Sequence, residues 1–375
     1  MKIDDFAVEI WMNRYETVCR YNIAESCVDS ITLGALLAMA GRTDDFAAEI
    51  SALKMTYGAI EGSMRLRRAI AGLYESVAPE QTLVTHGAAG ANALLYESLI
   101  EPGDRIVSFH PTYQQHLSLP ESYGATVTRL PLLAENGYLP DLEALERLVG
   151  PDTKLIALTN PNNPMGALID RGMLEGIARI ADAHGAWVLC DEVYRGVNQH
   201  DDRLTPSIVD LYAKGIAVGS MSKAFALAGL RLGWIVAPDA VLHRVMIHRD
   251  YTTISVGVLD DLLAAIALET RGPLLERNRA IVRTNLDILD RWVAREPLIS
   301  WVKPLGGTVT LLAYDLDMTS VEFCTRLIEE TGALLMPGSA LDMEGTVRIG
   351  FGNGTTALRD GLEAVSGFLA GLGRT

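Results

Sequence analysis

The sequence predicts an α/β protein whose core is a mostly parallel sheet with helices on both faces. Between about residue 50 and residue 240, short apolar runs alternate with helical patterns. The runs are apolar throughout, which is typical of parallel strands that are buried on both faces. Segments rich in polar residues and glycine follow several of the runs, and such sheets bind ligands beyond the carboxyl ends of their strands. We therefore expect the functional site at that edge.

The runs predict seven strands in this part of the chain. Helical stretches such as Leu142–Val149 and Met173–His184 separate several of them, as parallel neighbours require. The predicted strands are Thr82–Thr85, Arg105–Phe109, Thr126–Pro131, Leu155–Leu158, Trp187–Cys190, Ile216–Gly219 and Leu232–Val236.

The pattern changes after about residue 270, which predicts a second, smaller α+β domain. A long helix is expected over Leu274–Glu296, followed by short strands and helices. The strands of this domain are predicted at Val302–Leu312, Ala333–Met336 and Thr346–Phe351. The first forty residues do not follow the alternation of strands and helices. The expected organisation is a segment over residues 1–40 that joins the small domain, a large domain over 41–272 and a small domain over 273–375.

Composition limits the classes of function. The 375 residues are 49% apolar, which is enough for a large core, and 32 basic against 47 acidic residues give a net charge of −15. This charge argues against a nucleic acid or an anionic membrane as a partner. The four cysteines, Cys19, Cys27, Cys190 and Cys324, lack the spacing of a metal or redox pair. No signal peptide or membrane span is apparent, so a soluble cytoplasmic protein is expected.

The segment SMSKAFALAGLRLGW carries the strongest chemical signal in the chain. Lys223 is flanked by Ser220 and Ser222, and Arg231 follows in a loop that contains several glycines. A lysine amine can form a Schiff base with an aldehyde, while hydroxyl and guanidinium groups can hold a phosphate. The grouping therefore suits an aldehyde cofactor that carries a phosphate. It resembles the lysine segment of the class I and II aminotransferases, the fold-type-I enzymes that use pyridoxal 5′-phosphate (PLP).

A carboxylate and a tyrosine follow the strand predicted at Trp187–Cys190. Asp191 can pair with a protonated pyridine nitrogen and keep the cofactor ring electron-poor. Tyr194 can donate a hydrogen bond to the phenolic oxygen of the ring. The resemblance implies that both residues are catalytic, and the alternative for Asp191 is an ordinary turn or capping acid.

The segment NPNNPMG follows the strand predicted at Leu155–Leu158. Asn-Pro repeats are typical of turns, and this one resembles the N-P-x-N-P-T-G motif of the family. The resemblance implies that Asn163 bonds the phenolic oxygen and helps to hold the substrate. Met165 stands where the family usually has threonine.

Two further loops resemble cofactor-binding parts of the family. The segment THGAAGA lies between a predicted strand and a predicted helix, where small residues let backbone N–H groups approach an anion. The resemblance implies that Gly87, Ala88 and Ala89 donate to the phosphate. Tyr113 matches the aromatic residue that stacks on the cofactor ring. His116 stands where the family often has another aromatic residue, and it could instead meet the substrate.

Two motifs outside these loops concern the partner subunit and the substrate. Tyr57 begins a pattern similar to Y-x-x-x-x-G-x-x-x-L-R, in which the tyrosine reaches the phosphate of the neighbouring subunit. The resemblance thus implies a homodimer with shared active sites. Arg348 lies on a late predicted strand and resembles the arginine that binds the substrate α-carboxylate bidentately.

The resemblance implies an enzyme that acts on α-amino acids, with Lys223 as the general base at Cα. Return of the proton to the cofactor would give transamination, so a PLP-dependent aminotransferase of amino acid metabolism is the first expectation. The same carbanion can also expel a substituent, accept an internal nucleophile or reduce oxygen. No zinc-type cluster is present, and no G-x-G-x-x-G follows the first strand, so neither a metal nor a nicotinamide cofactor is expected.

The N-terminal segment bears on the choice of reaction, because it departs from the usual L-x-x-G-E-P motif. The stretches EIWMNRY, NIAESCV and TLG, together with RDYTT, resemble the capreomycidine-synthase-like branch, whose members cyclise a hydroxylated arginine. This implies a lyase or cyclase in arginine-derived biosynthesis, and Glu25 could hold a guanidinium or act as an ordinary capping acid. The Asn-Ile-Ala run is also similar to PLP-dependent arginine oxidases, but Cys27 stands near the place of their histidine.

A catalytically silent PLP-fold binding protein is the alternative outside the enzymes. The intact set of Lys223, Asp191, Asn163 and Arg231 argues against it.

Overall fold

The structure is a computed structural model that describes residues 2–372 of the chain. In chain order its strands are β1 (Tyr21–Asn22), β2 (Thr82–Thr85), β3 (Arg105–His110), β4 (Thr126–Pro131), β5 (Thr153–Thr159), β6 (Trp187–Asp191), β7 (Gly215–Ser220), β8 (Gly233–Val236), β9 (Ile299–Trp301), β10 (Val309–Tyr314), β11 (Ala333–Leu334), β12 (Met336–Pro337) and β13 (Thr346–Gly350). Its α-helices are α1 (Ala7–Tyr15), α2 (Leu33–Met39), α3 (Phe46–Ala52), α4 (Met64–Ala71), α5 (Gly87–Leu99), α6 (Gln115–Ser122), α7 (Leu142–Leu148), α8 (Arg171–His184), α9 (Asp239–Asp250), α10 (Val258–Glu269), α11 (Arg271–Val293), α12 (Ser320–Thr331) and α13 (Thr355–Leu372).

A seven-stranded sheet has the strand order β2-β8-β7-β6-β5-β3-β4. The pairs from β7 to β4 are all parallel, whereas β8 is antiparallel to both of its neighbours, β7 and β2. This arrangement confirms the predicted α/β fold with a mostly parallel sheet. Each parallel strand delivers the residues that follow it to the same edge of the sheet.

Both faces of the large sheet are covered by apolar side chains. On one face, Leu95 of α5 and Val241 of α9 pack in a cluster with Ile106 and Ile216 of the strands. On the other face, a larger cluster continues into the C-terminal region. Burial on both sides explains why the strands are apolar without alternation. Within residues 2–372, no helix combines the length and the apolar character that crossing a membrane requires.

Helix α8 illustrates how local sequence positions the site. Asp170 caps its start by accepting a hydrogen bond from the backbone N–H of Met173. Gly185 ends it in the left-handed conformation, with φ of 70°. The chain therefore turns directly into β6, whose last residue is Asp191 at the edge of the sheet.

The C-terminal region differs from the prediction in two strands. Of the run predicted as the strand Val302–Leu312, only the residues from Val309 onward form a strand, the start of β10, which pairs antiparallel with β9; residues 302–308 form the loop that joins β9 to β10. Pro304 and Gly307, with φ of 72°, lie in the loop between them, and this loop brings the chain back to Asn198 in an isolated bridge. The run predicted at Ala333–Met336 forms two short strands, because β11 pairs with β1 while β12 pairs with β13.

The N-terminal segment lies against the C-terminal strands. Strand β1 pairs in parallel with β11, and the indole Nε1 of Trp11 donates to the carbonyl oxygen of Leu335 at 2.8 Å. The chain then passes beside β13, where the N–H of Gly350 donates to the carbonyl oxygen of Ile23 at 2.8 Å. This path brings residues 24–28 to the loop that contains Lys223.

Candidate active site

A cavity of about 250 Å³, open to solvent, lies at the carboxyl ends of the parallel strands. Its wall comes from the large sheet, from the N-terminal segment and from β13. Most of the residues singled out in the sequence line it together: Glu25, Ala88, Ala89, Tyr113, Asn163, Asp191, Tyr194, Ser220, Ser222, Lys223, Arg231 and Arg348. Gly87 is adjacent to this set, whereas Tyr57 and His116 lie outside the lining.

Lys223 follows β7 and its side chain points to the N-terminal segment. Its Nζ donates to Oγ of Ser26 at 2.7 Å and to Sγ of Cys27 at 3.5 Å. Burial opposes the positive charge, but the pKa of Lys223 is raised because Cys27, Tyr194 and Glu25 surround the amine with groups that become negative on ionisation. Only the neutral amine can attack an aldehyde, so Lys223 must lose this proton before it can form a Schiff base.

Asp191 is buried at the end of β6 and is held from three directions. Its Oδ2 accepts from Nδ2 of Asn92 at 3.1 Å, and its Oδ1 accepts from the N–H of Val193 at 3.2 Å. Nε2 of His116 lies 3.7 Å from Oδ2. Asn92 was not apparent from the sequence, because only the packing of α5 against the sheet brings it to the carboxylate.

His116 does not reach the place expected for a substrate contact. Its side chain is completely buried on α6, behind Asp191, and Nδ1 is 2.8 Å from the hydroxyl oxygen of Tyr96. Nε2 has no hydrogen-bond partner within the described residues and faces Asp191. The geometry therefore directs this side chain to the carboxylate and away from the cavity.

Tyr194 and Arg348 place unpaired polar atoms in the cavity wall. The hydroxyl of Tyr194 and Nε of Arg348 are buried without a hydrogen-bond partner among the described residues. Burial raises the pKa of Tyr194, although Lys223 and Arg348 oppose the rise, and burial lowers the pKa of Arg348. Unsatisfied buried groups are costly. They fit a ligand that supplies a phenolic oxygen near Tyr194 and a carboxylate near Arg348, as PLP and an amino acid would.

The start of α5 forms an anion site with Arg231. Gly87 begins this helix of 13 residues with φ of 66°, and the first N–H groups of a helix have no partner within the helix. A Cβ atom at Gly87 would lie 3.1 Å from Nη2 of Arg231, so glycine lets the guanidinium approach the helix start closely. Ser220 and Ser222 line the same cavity. These groups fit the phosphate of PLP.

Helix α1 adds residues that the motifs did not identify. The hydroxyl of Tyr113 donates to Oε1 of Glu9 at 3.0 Å, and burial raises the pKa of Tyr113, with Glu9 adding to the rise. Glu9 and Glu16 line the cavity together with Glu25. The unusual stretch EIWMNRY indicated that this segment matters, but no pattern within it identified Glu9.

Tyr57 lies on the outer surface, where 74% of its side chain is exposed. Met55 and Ile60 beside it are also exposed, as are Tyr251 and Ile254. Gly58, next to Tyr57, lies against the chain that follows Ile254, since a Cβ atom at Gly58 would lie 3.1 Å from Cγ1 of Val258. An exposed apolar patch of this kind is typical of a protein interface.

The chain is similar to known proteins over most of its length. A family model described as aminotransferase class I and II matches residues 38–364. The capreomycidine synthase of Streptomyces vinaceus is 31% identical over 362 residues, which cover 96% of this chain and 92% of the relative.

Two solved structures resemble the chain over almost its whole length. A PLP-dependent aminotransferase from Streptococcus suis is 44% identical, with a TM-score of 0.95 and coverage of 99% of this chain and 98% of the other. The PLP-dependent cyclase OrfR is 29% identical, with a TM-score of 0.91 and the same two coverages.

Proposed function

Because this chain belongs to the class I and II aminotransferase family, and is thus a PLP-dependent enzyme, we propose that it transaminates an α-amino acid at Lys223. The support is one arrangement: Lys223, Asp191, Asn163, Tyr194 and Arg348 line the same cavity. Lys223 and Asn163 come from the loops that follow β7 and β5, Asp191 is the last residue of β6, and Arg348 comes from β13. Such a set can hold a cofactor ring on one side and a carboxylate on the other.

Bound PLP supplies an electron-withdrawing ring that stabilises negative charge at the substrate Cα. In our proposal, Arg348 binds the α-carboxylate and thereby fixes the position of Cα. The free amine of Lys223 takes the proton from Cα and later returns a proton. Asp191, which accepts a hydrogen bond from Asn92, would pair with the ring nitrogen of the cofactor.

The acidic side of the cavity supports a substrate with a cationic side chain. Glu9, Glu16 and Glu25 all line the cavity, and Glu9 also holds Tyr113. One oxygen of Glu25 already accepts two backbone N–H groups, those of Ser26 and Cys27, whereas among the residues that the structure describes Glu9 accepts only the hydroxyl of Tyr113, so Glu9 and Glu16 are better placed to receive a ligand. Carboxylates favour a guanidinium because it donates in a planar fork. We propose arginine or a hydroxylated arginine.

A cyclase or lyase acting on the same type of substrate is the second candidate. The likeness to capreomycidine synthase and to the cyclase OrfR favours it. Lys223 would take the same proton from Cα, and a bond at Cβ would then break with loss of a leaving group. The residues around Lys223 serve both reactions, so product analysis separates them.

We also propose that the protein is a cytoplasmic homodimer with shared active sites. The exposed patch around Tyr57 supports this proposal, since a second copy would cover it and Tyr57 could reach the phosphate site of that copy. In this proposal residues 41–272 form the large domain, residues 273–375 form the small domain, and residues 1–40 join the small domain.

The experiment that tests the function uses the purified enzyme with single amino acids and no keto acid. Arginine, hydroxylated arginine, citrulline and aspartate are compared, and the products are identified by chromatography and mass spectrometry. Conversion of one equivalent of PLP to pyridoxamine phosphate supports transamination. A cyclic or unsaturated product, with PLP unchanged, favours the second candidate. Oxygen consumption, measured with an electrode, would instead identify an oxidase.

A further inference from the structure

A short segment of the N-terminal region, residues 24–28, runs between β13 and the loop of Lys223. The hydroxyl of Thr308 donates to the carbonyl oxygen of Ser26 at 2.6 Å. The N–H of Val28 donates to the carbonyl oxygen of Lys223 at 3.5 Å. A Cβ atom at Gly350 would lie 1.7 Å from the carbonyl oxygen of Glu25, so only glycine allows this approach. The segment is thus fixed on both sides.

Glu25 fixes the same segment from within. Its Oε1 accepts the N–H of Ser26 at 2.8 Å and the N–H of Cys27 at 2.9 Å. Burial opposes ionisation of Glu25, but Lys223 and these N–H groups lower its pKa below the ordinary value. The carboxylate therefore sets the direction in which the next two side chains leave the backbone. Both of them point at the amine of Lys223.

Of these two side chains, Ser26 makes the stronger contact. Its Oγ lies 2.7 Å from Nζ of Lys223, a normal hydrogen-bond distance, whereas Sγ of Cys27 lies at 3.5 Å. A thiol is a weak acceptor. Burial also raises the pKa of Cys27, which keeps the thiol neutral. The hydroxyl oxygen of Ser26 is therefore the group that can accept a hydrogen bond from the ammonium of Lys223.

We infer that Ser26 is a positioning residue for Lys223. The hydroxyl of Ser26 orients the free amine of Lys223 and stabilises the protonated amine during proton transfer at Cα. The inference rests on the proposed function for the identity of the reaction, but not for the contact itself. The Cα–H bond breaks, its electron pair stays on carbon, and the proton binds Nζ. Ser26 then accepts a hydrogen bond from the ammonium in a buried site. Glu25 takes part indirectly, because it orients Ser26.

Labelling of the full-length protein, freed of cofactor, tests the contact directly. The rate at which acetic anhydride acylates Lys223 is measured at a fixed alkaline pH by peptide mapping. Only the neutral amine reacts, so loss of the hydroxyl in Ser26→Ala should raise the rate roughly tenfold, which corresponds to the loss of one hydrogen bond to a charged group. Ser26→Thr, which retains a hydroxyl, should react like the wild type.

Ser51→Ala is the matched control, because it removes a serine hydroxyl on the exposed surface of α3 and leaves the surroundings of Lys223 unchanged. A change of less than about twofold is expected for it, and circular dichroism checks the fold of every variant. If Ser26→Ala does not fold, Ser26→Cys provides the same comparison with a weaker acceptor. An unchanged rate in Ser26→Ala or Ser26→Cys, or an equal rise in Ser51→Ala, would overturn the inference.

The loaded enzyme gives a second, separate readout. Exchange of the substrate Cα hydrogen with deuterated water, followed by NMR, should slow about tenfold in Ser26→Ala while KM stays unchanged. Ser26→Thr should restore the exchange rate. Equal exchange rates in the wild type and Ser26→Ala would contradict the role in proton transfer. The acylation measurement needs no substrate, so it would still test the contact if no amino acid proved to be a substrate.

Discussion

Nη1 of Arg348 donates to Oδ1 of Asn163 at 3.2 Å, a buried hydrogen bond between β13 and the loop that follows β5. The two residues are 185 positions apart in the chain. Nη2 of Arg348 donates to the carbonyl oxygen of Ala24 at 3.3 Å, while Nε has no partner within the described residues. The guanidinium is therefore held in place and still has a donor to offer to a ligand.

This arrangement predicts that Arg348→Lys weakens substrate binding. Lysine can supply the charge but not the planar fork that pairs with a carboxylate and with Asn163. KM for the amino acid should rise roughly 10- to 100-fold, with a smaller effect on kcat. Steady-state kinetics measures both parameters. Arg359→Lys, at an exposed position of α13, is the control, and an equal KM in the two variants would contradict the assignment.

Lys223→Ala should abolish covalent attachment of the cofactor. Borohydride reduction of the wild type, followed by peptide mapping, should place a pyridoxyl label on residue 223. The variant should carry no label, and its turnover should fall by roughly 100- to 10,000-fold because the general base is lost. Lys303→Ala removes an exposed lysine paired with Asp290 and should keep the label. A label on another lysine of the wild type would disprove the role of Lys223.

Glu9→Gln should distinguish cationic from neutral substrates. The amide keeps an oxygen that can accept from the hydroxyl of Tyr113, but it removes one negative charge from the cavity. We expect KM for the cationic substrate to rise about tenfold, with little change for a neutral analogue such as citrulline. Competition kinetics with the two compounds compares the enzyme's preference between them in the variant and in the wild type. Glu80→Gln on the exposed surface serves as the control. Parallel changes for both substrates would exclude charge recognition by Glu9.

The burial of the Glu192 carboxylate predicts that the stability of the protein depends on pH. It is buried beside Arg195 and accepts from the hydroxyl of Ser207 at 2.7 Å, and burial raises its pKa from 4.5 to about 7. The folded state therefore binds this proton more tightly than the unfolded state. The stability that Glu192 contributes is complete below about pH 4.5 and is lost as the pH rises through about 7.

Glu192→Gln should remove this dependence. Denaturant unfolding, followed by tryptophan fluorescence, should show that the free energy of unfolding of the wild type falls by roughly 1–3 kcal/mol between about pH 5 and about pH 8 relative to the variant. The amide oxygen can still accept from Ser207. If the free energy of unfolding changed equally with pH in the wild type and in Glu192→Gln, Glu192 would ionise normally in the folded protein.

Tyr57 predicts complementation between inactive variants. If Tyr57 serves the site of the other subunit, a mixed dimer of Tyr57→Ala and Lys223→Ala contains one site with both residues intact. Refolding the two variants together should therefore restore up to about a quarter of the wild-type activity, given random pairing and half-active mixed dimers. Sedimentation of each variant checks that dimers form. Activity no greater than the sum of the separate variants would place Tyr57 outside the shared site.

The sequence by itself determined the architecture and most of the chemistry. The predicted strands Thr82–Thr85 and Thr126–Pro131 have the observed bounds, and the other five strands of the large sheet differ by one or two residues at their ends. A buried parallel strand is apolar along its length, and the functional residues follow it directly in the chain. Lys223 and Asp191 could therefore be recognised from local segments alone.

Only the tertiary structure decided which distant residues meet these groups. Asn92 reaches Asp191 through the packing of α5, His116 turns behind that carboxylate, and Ser26 reaches Lys223 because the N-terminal segment is fixed on β13. No local pattern encodes such contacts, since each depends on how separate elements pack. The predicted strand Val302–Leu312 began too early for the same reason, because residues 302–308 form a loop whose Gly306 bridges to Asn198.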